Sequence, residues 1–225
     1  MLAAAIAGIG LVRGPRPIHT TGVVLTGPMR WRPPGSTRSG IAWIDDRTEG
    51  GTTVTARLSR GAALPAALPD VIGLAIRSAA DGRDVDLLLS STGIGVPGRF
   101  VLQPHWSPSR VVLSTLMPYR GASGPVLVAA RPVSPQRLPR QLEDVRTALE
   151  RRPWTLDLLF ASATGRWHRF AQVELGPLAG RIDSGTPRFD PVLNPPPGAG
   201  TYRWTRALRE PSYAVARRGS GSRRA

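Results

Sequence analysis

The sequence predicts a β-dominated α+β domain, an antiparallel sheet closed or nearly closed into a barrel and accompanied by a few short helices. Three observations lead to that expectation. Apolar residues alternate with polar ones along most of the chain. Turn chemistry recurs every few residues, from 25 Gly and 23 Pro. The length of 225 residues and the 41% apolar content are enough for one substantial core and too apolar for a disordered chain.

Taken in order, the chain opens with "MLAAAIAGIGLV". No basic residue precedes this apolar run, and it is far short of the ~20 apolar residues that span a bilayer. It reads as an N-terminal arm, residues 1–15, packing on the domain. Period-two patterning then predicts nine strands: 22–27, 39–45, 52–59, 72–78, 84–90, 110–117, 124–131, 154–162 and 169–176. In "TTVTARLS", for example, Val54, Ala56 and Leu58 share one face while Thr53, Thr55, Arg57 and Ser59 share the other. One helix is expected over 141–152, where Leu142, Val145, Ala148 and Leu149 form a stripe that Pro153 ends. A Pro/Gly-rich segment, 184–200, leads to a final short helix, 205–218, and a flexible basic tail, 219–225. One domain over 1–218 is the simplest division.

The formal charge is +15, and every basic residue is arginine. The arginines are scattered and concentrate only in the tail, with no helix-turn-helix, zinc-finger or aromatic RNA-binding signature. A dedicated nucleic-acid function is therefore not expected. The absence of cysteine removes disulfides, iron–sulfur clusters and a thiolate nucleophile, and it fits a cytoplasmic protein. The three histidines lie far apart and belong to no metal-hydrolase pattern. G-x-S-x-G and phosphate-loop signatures are absent.

What stands out is a set of arginines, hydroxyls, His19 and Tyr213. In "LREPSY", Arg209 and Tyr213 are four apart and share a face on a helical turn. An arginine beside a phenol stabilises the phenolate, and a phenolate is a hard anionic ligand for ferric iron. Arg57 and Ser59 share one strand face. His105 and His168 have no motif around them, and the six tryptophans read as packing residues.

The order of these pieces resembles haem catalases. The distal phrase R-x-x-H-x-x-G of that family is matched by Arg16, His19 and Gly22. Its R-F-S strand and D-P-x-G-F-A loop are similar to "ARLS" and to Asp70, Gly73 and Ala75. Its D-L-x-x-N-N-T-P is similar to "DLLLSSTG", with Ser90 and Ser91 at the asparagine positions. "RRPWTLDLL", "RFDPVLNPPPG" and "LREPSY" resemble the family's S-W-T, F-D-P-x-N-x-P-P-G and R-x-x-x-Y segments. The chain is much shorter than a full catalase and looks like a minimal catalase-like barrel, similar to the small catalase-related peroxidases.

The resemblance implies haem b as cofactor, with Tyr213 as proximal iron ligand and Arg209 holding it as phenolate. It implies His19 as distal acid/base and Ser59 as the residue orienting that imidazole. Arg16 and Arg57, joined by Arg217 or Arg218, would pair with the haem propionates. Ser91 would stand where the family uses an asparagine against peroxide, a departure that favours peroxidase-type turnover over fast disproportionation. The implied function is a haem-dependent peroxidase or weak catalase acting on hydrogen peroxide or organic hydroperoxides with an organic reductant, in the cytoplasm and possible as a homo-oligomer. Two alternatives stand beside it: a non-enzymatic module binding haem or another ligand in the barrel, and a hydrolase whose metal ligands the sequence does not identify.

Overall fold

Alternation of apolar and polar residues gives each strand one inward side, and the strands find one another by burying those sides together. In the computed structural model, which describes residues 22–33, 35–46, 50–61, 64–133, 136–178 and 189–205, this produces a closed antiparallel barrel. Its long strands are β1 (Gly22–Trp31), β2 (Gly51–Arg60), β3 (Asp70–Ala80) and β4 (Arg83–Ser91). The short β5 (Pro104–His105), β6 (Leu113–Ser114) and β7 (Tyr119–Gly121) follow. β8 (Gly124–Pro132), β9 (Trp154–Ser162) and β10 (His168–Pro177) complete the set. Eight strands close the ring in the order β2–β1–β10–β9–β8–β6–β4–β3, with β3 pairing back to β2. β5 and β7 are short additions on β3 and β8. All of these elements fall within one compact unit, His19–Tyr202. Among the described residues no helix is long and apolar enough to cross a membrane.

The barrel interior is filled by side chains. Leu25, Met29, Leu58, Leu74, Ile76 and Leu113 are all buried there, and Trp43 and Trp154 are among the largest buried residues. Packed side chains thus occupy the barrel interior. The tryptophans Trp31, Trp43 and Trp154 are packing residues: the rings of Trp31 and Phe170 each meet Trp43 edge-on at 5.7 Å.

Two expected strands differ. Residues 39–45 form one helical turn, α1 (Ala42–Asp45), which carries Trp43 and Ile44 into the core. Gly40 adopts φ +76°, and the Asp45 carboxylate accepts from the backbone N–H of Ser39 (2.9 Å) and Gly40 (2.8 Å), so the chain turns where strand pairing would need it straight. Residues 110–117 keep only β6, because Pro108–Arg110 form a 3₁₀ turn and Leu116 takes φ +56°. The expected helix is present as α2 (Leu142–Arg151), its buried Val145 and Leu149 packing beside β10 and β1.

The segment containing "FDPVLN" docks on the outside of β3 and β4. Asp86, fully buried, accepts from Arg77 Nε (2.7 Å) and Nη2 (2.6 Å), from the backbone N–H of Asp190 (2.8 Å) and from Asn194 Nδ2 (2.8 Å). The Asp86 N–H in turn donates to the Asn194 carbonyl at 2.8 Å. Asp190 ties its own turn through the N–H groups of Val192 and Leu193. The hydrogen bonds that Arg77 donates to Asp86 hold its guanidinium above its ordinary pKa. Residues more than 100 positions apart are thus latched by one carboxylate.

Candidate functional site

Residues directly opposite one another on antiparallel strands send their side chains to the same face. Following the pairings from β1 to β6 gives one row of small residues on the outer wall: Gly22, Ser59, Gly73, Ser90 and Ser114. The next row is Val24, Arg57, Ala75 and Leu88, all half-buried. The third is Thr26, Thr55, Arg77 and Asp86, where the latch sits. Between the first two rows run Val23, Leu58, Leu74 and Leu89, which point into the core, so the rows themselves face outward.

Four phrases singled out in the sequence therefore meet on adjoining strands. Gly22 closes the first, Arg57 and Ser59 belong to the second, Gly73 and Ala75 to the third, and Asp86 and Ser90 to the fourth. Gly22 is needed for the fit: a Cβ there would lie 2.8 Å from the Arg57 guanidinium carbon, so only glycine lets that side chain lie across β1. Ser59 is buried, and its hydroxyl donates to the Gly73 carbonyl at 3.4 Å, the long end of hydrogen-bond range. The wall offers small and aliphatic surface with one guanidinium at its side. Such a surface suits a flat apolar group bearing a carboxylate.

Ser91 does not join it. It is fully buried on the opposite side of β4, where its hydroxyl accepts from the Ile72 N–H (3.0 Å) and donates to the Gln103 carbonyl (2.6 Å). The serine on the outer row is Ser90, one residue earlier. The signal was in the sequence: Val85, Leu87 and Leu89 make one apolar face, and Ser91 continues that face, whereas Ser90 continues the face of Asp86 and Leu88. Arg16, His19, Arg209, Tyr213, Arg217 and Arg218 lie outside the described residues.

Neither described histidine faces these rows. His105 is opposite Asp70 on the β3–β5 pair, its Nε2 buried without a hydrogen-bond partner, and burial holds its pKa below the usual imidazole value. His168 stacks on Phe160 with ring centres 5.4 Å apart. Among the described residues no three His, Asp or Glu side chains converge as a metal site, so the hydrolase reading finds no ligand set there.

No protein-family model matches the sequence, and no curated protein matches it. Solved structures do. A bacterial catalase superposes with a TM-score of 0.61 at 13% identity, covering 96% of this chain and 59% of its own. Catalase A from Saccharomyces cerevisiae superposes with a TM-score of 0.67 at 10% identity, covering 96% of this chain and 63% of its own. The chain thus spans about three fifths of the length of either catalase. At this identity the likeness concerns architecture, and the architecture is clear: this chain has the catalase-like antiparallel β-barrel fold.

Proposed function

We propose that the outer wall of β1–β4 is a haem face and that the protein is a haem-dependent peroxidase or weak catalase acting on hydrogen peroxide or organic hydroperoxides. The observation that carries this reading is the convergence of Gly22, Arg57, Ser59, Gly73, Ala75 and Ser90 on two adjoining outward rows. Haem b suits those rows: Val24, Ala75 and Leu88 offer apolar contact to a flat ring, and Arg57, lying across Gly22, offers a guanidinium to a propionate. When bound, haem supplies the iron chemistry by which peroxide is cleaved and reduced.

The chain's own residues do the rest. Tyr213 would hold the iron, and Arg209, four residues before it in the sequence, would keep the phenol ionised. His19 would hold the peroxide proton on its imidazole and return it to the departing oxygen, so that water and not hydroxide would leave. Ser59 orients that imidazole. Arg16 joins Arg57 at the propionates, with Arg217 or Arg218 as a further cation. On the outer row the serine of this phrase is Ser90 and not Ser91. An organic reductant, a homo-oligomeric state and a cytoplasmic location belong to the same reading.

The test is the absorption spectrum of protein purified from cells supplied with iron and a haem precursor. A Soret band with a high-spin ferric tyrosinate pattern, abolished in Tyr213→Phe, supports it. Colourless protein that also refuses added haemin refutes it. A second reading, a haem-binding module without turnover, is favoured by one observation: neither asparagine position carries an amide, and the Ser91 hydroxyl is already engaged. It expects His19→Ala to leave haemin affinity unchanged, with no peroxide turnover in either protein.

A further inference from the structure

A second site lies away from the wall, where the β9–β10 turn meets the start of β8 and the loop before α1. A cavity of about 130 Å³ is lined there by Arg38, Arg166 and His168, with the hydroxyls of Thr37, Ser123 and Ser162. Among the described residues no acidic side chain lines it. We propose that this cavity binds a phosphate group, either as the free anion or at the end of a phosphate monoester.

The donors are available. Arg166 makes no hydrogen bond or ion pair with any described residue. Arg38 donates from Nη1 to the Asp45 carbonyl at 2.7 Å, which holds the side chain in place and leaves its remaining N–H groups for a ligand. The Asp45 carboxylate behind Ser39 is occupied by the N–H groups of Ser39 and Gly40 and by the Ser39 hydroxyl, at 2.8 to 2.9 Å. The imidazole of His168 is fixed against Phe160.

A buried cation reinforces the field. Arg99, 4% exposed, donates to the carbonyls of Ser162 (3.1 Å) and Gly165 (3.0 Å) beneath the same turn and covers the face of Trp167 at 4.8 Å. Its hydrogen bonds go to carbonyl groups and no ion pair pins its charge among the described residues, so the turn sits over uncompensated positive charge. Burial lowers the Arg99 pKa, which is the direction expected of a cation lacking a counter-charge. The tight turn itself is set by Ser162, whose hydroxyl accepts from the Gly165 N–H at 3.0 Å. A cavity of this size takes one tetrahedral oxyanion and leaves any attached group outside. A planar guanidinium on either side can bind such an anion through paired N–H donors.

The proposal is independent of the haem reading and is tested without it. Inorganic phosphate is titrated into the full chain by calorimetry, in parallel for wild type, the double variant Arg38→Ala/Arg166→Ala, and Arg83→Ala, which removes an exposed arginine from the β3–β4 turn. The expected result is saturable one-to-one binding, weakened about tenfold or more in the double variant and unchanged in Arg83→Ala. Glycerol phosphate in a second arm separates the sources: tighter binding than phosphate assigns a monoester, equal binding the free anion. Absence of saturable binding, or an equal loss in Arg83→Ala showing that only total charge matters, overturns the proposal.

Discussion

Two patches of the same outer wall, on the same strands β3 and β4, have opposite characters. At Arg77 and Asp86 the wall is sealed: a fully buried carboxylate receives four hydrogen bonds and the 189–194 segment is latched over it. One row further along, Ala75 and Leu88 are half-buried, and next to them lie Gly73 and Ser90, small and polar by turns. Both patches carry phrases that the sequence shares with haem catalases. The difference shows that such phrases do two jobs. Asp86, Asp190 and Asn194 hold the architecture together, whereas Gly22, Arg57, Ser59, Ala75 and Ser90 form two outward rows of small, aliphatic and basic residues.

The comparison is sharpened first at the latch. Asp86→Ala leaves Arg77 paired only with Asp84 (3.1 Å), removes the acceptor of four hydrogen bonds and unties the 189–194 segment, and should cost about 2–4 kcal/mol in denaturant unfolding. A loss below about 1 kcal/mol would mean that the latch is not structural.

The two adjacent serines come next. Ser91→Ala strands the Ile72 N–H and should destabilise by about 1–3 kcal/mol while leaving haemin affinity intact. Ser90→Ala should stay within about 0.5 kcal/mol of wild type and lower peroxide turnover instead. If the two variants exchange these phenotypes, the face assignment is wrong. Arg57→Ala should weaken haemin binding about tenfold in a Soret titration and flatten its salt dependence.

The smallest effect concerns His105. Its folded pKa lies below the unfolded value near 6.5, so the unfolded chain takes up the proton first. Stability is therefore full above that value and falls as pH drops through the window beneath it. His105→Gln should flatten this part of the acid limb of a stability–pH curve, and an unaltered limb would count against it.

Much of the barrel was legible in the sequence because a half-buried strand writes its register as period-two alternation, plainest in β2 and β10, while β8 and β9 show as short apolar runs buried on both sides. The errors fell where local chemistry overrides alternation. Gly40 and the Asp45 side chain bend 39–45 into a turn, and Leu116 at positive φ interrupts 110–117. In the candidate site, the shared order of phrases pointed to residues that the sheet sets on adjoining strands. The choice between Ser90 and Ser91 needed the side of the sheet, which follows from pairing with Gly73 and Ser59 across three strands. Arg38, Arg99 and Arg166 gave no signal at all. They are isolated arginines in loops far apart in the chain, and only the closed barrel gathers them round one turn.

The haem face is tested most directly by blocking the wall without touching the core. Ala75→Trp places a large ring on the outward side of β3, a position where an aromatic residue suits a strand, and haemin is titrated into wild type and variant while the Soret band and melting temperature are followed. The expected result is a saturating Soret shift in wild type, its loss in Ala75→Trp, and melting temperatures within a few degrees of each other. Unimpaired haemin binding by the folded variant would mean that the outer wall of β1–β4 is not where the ligand sits.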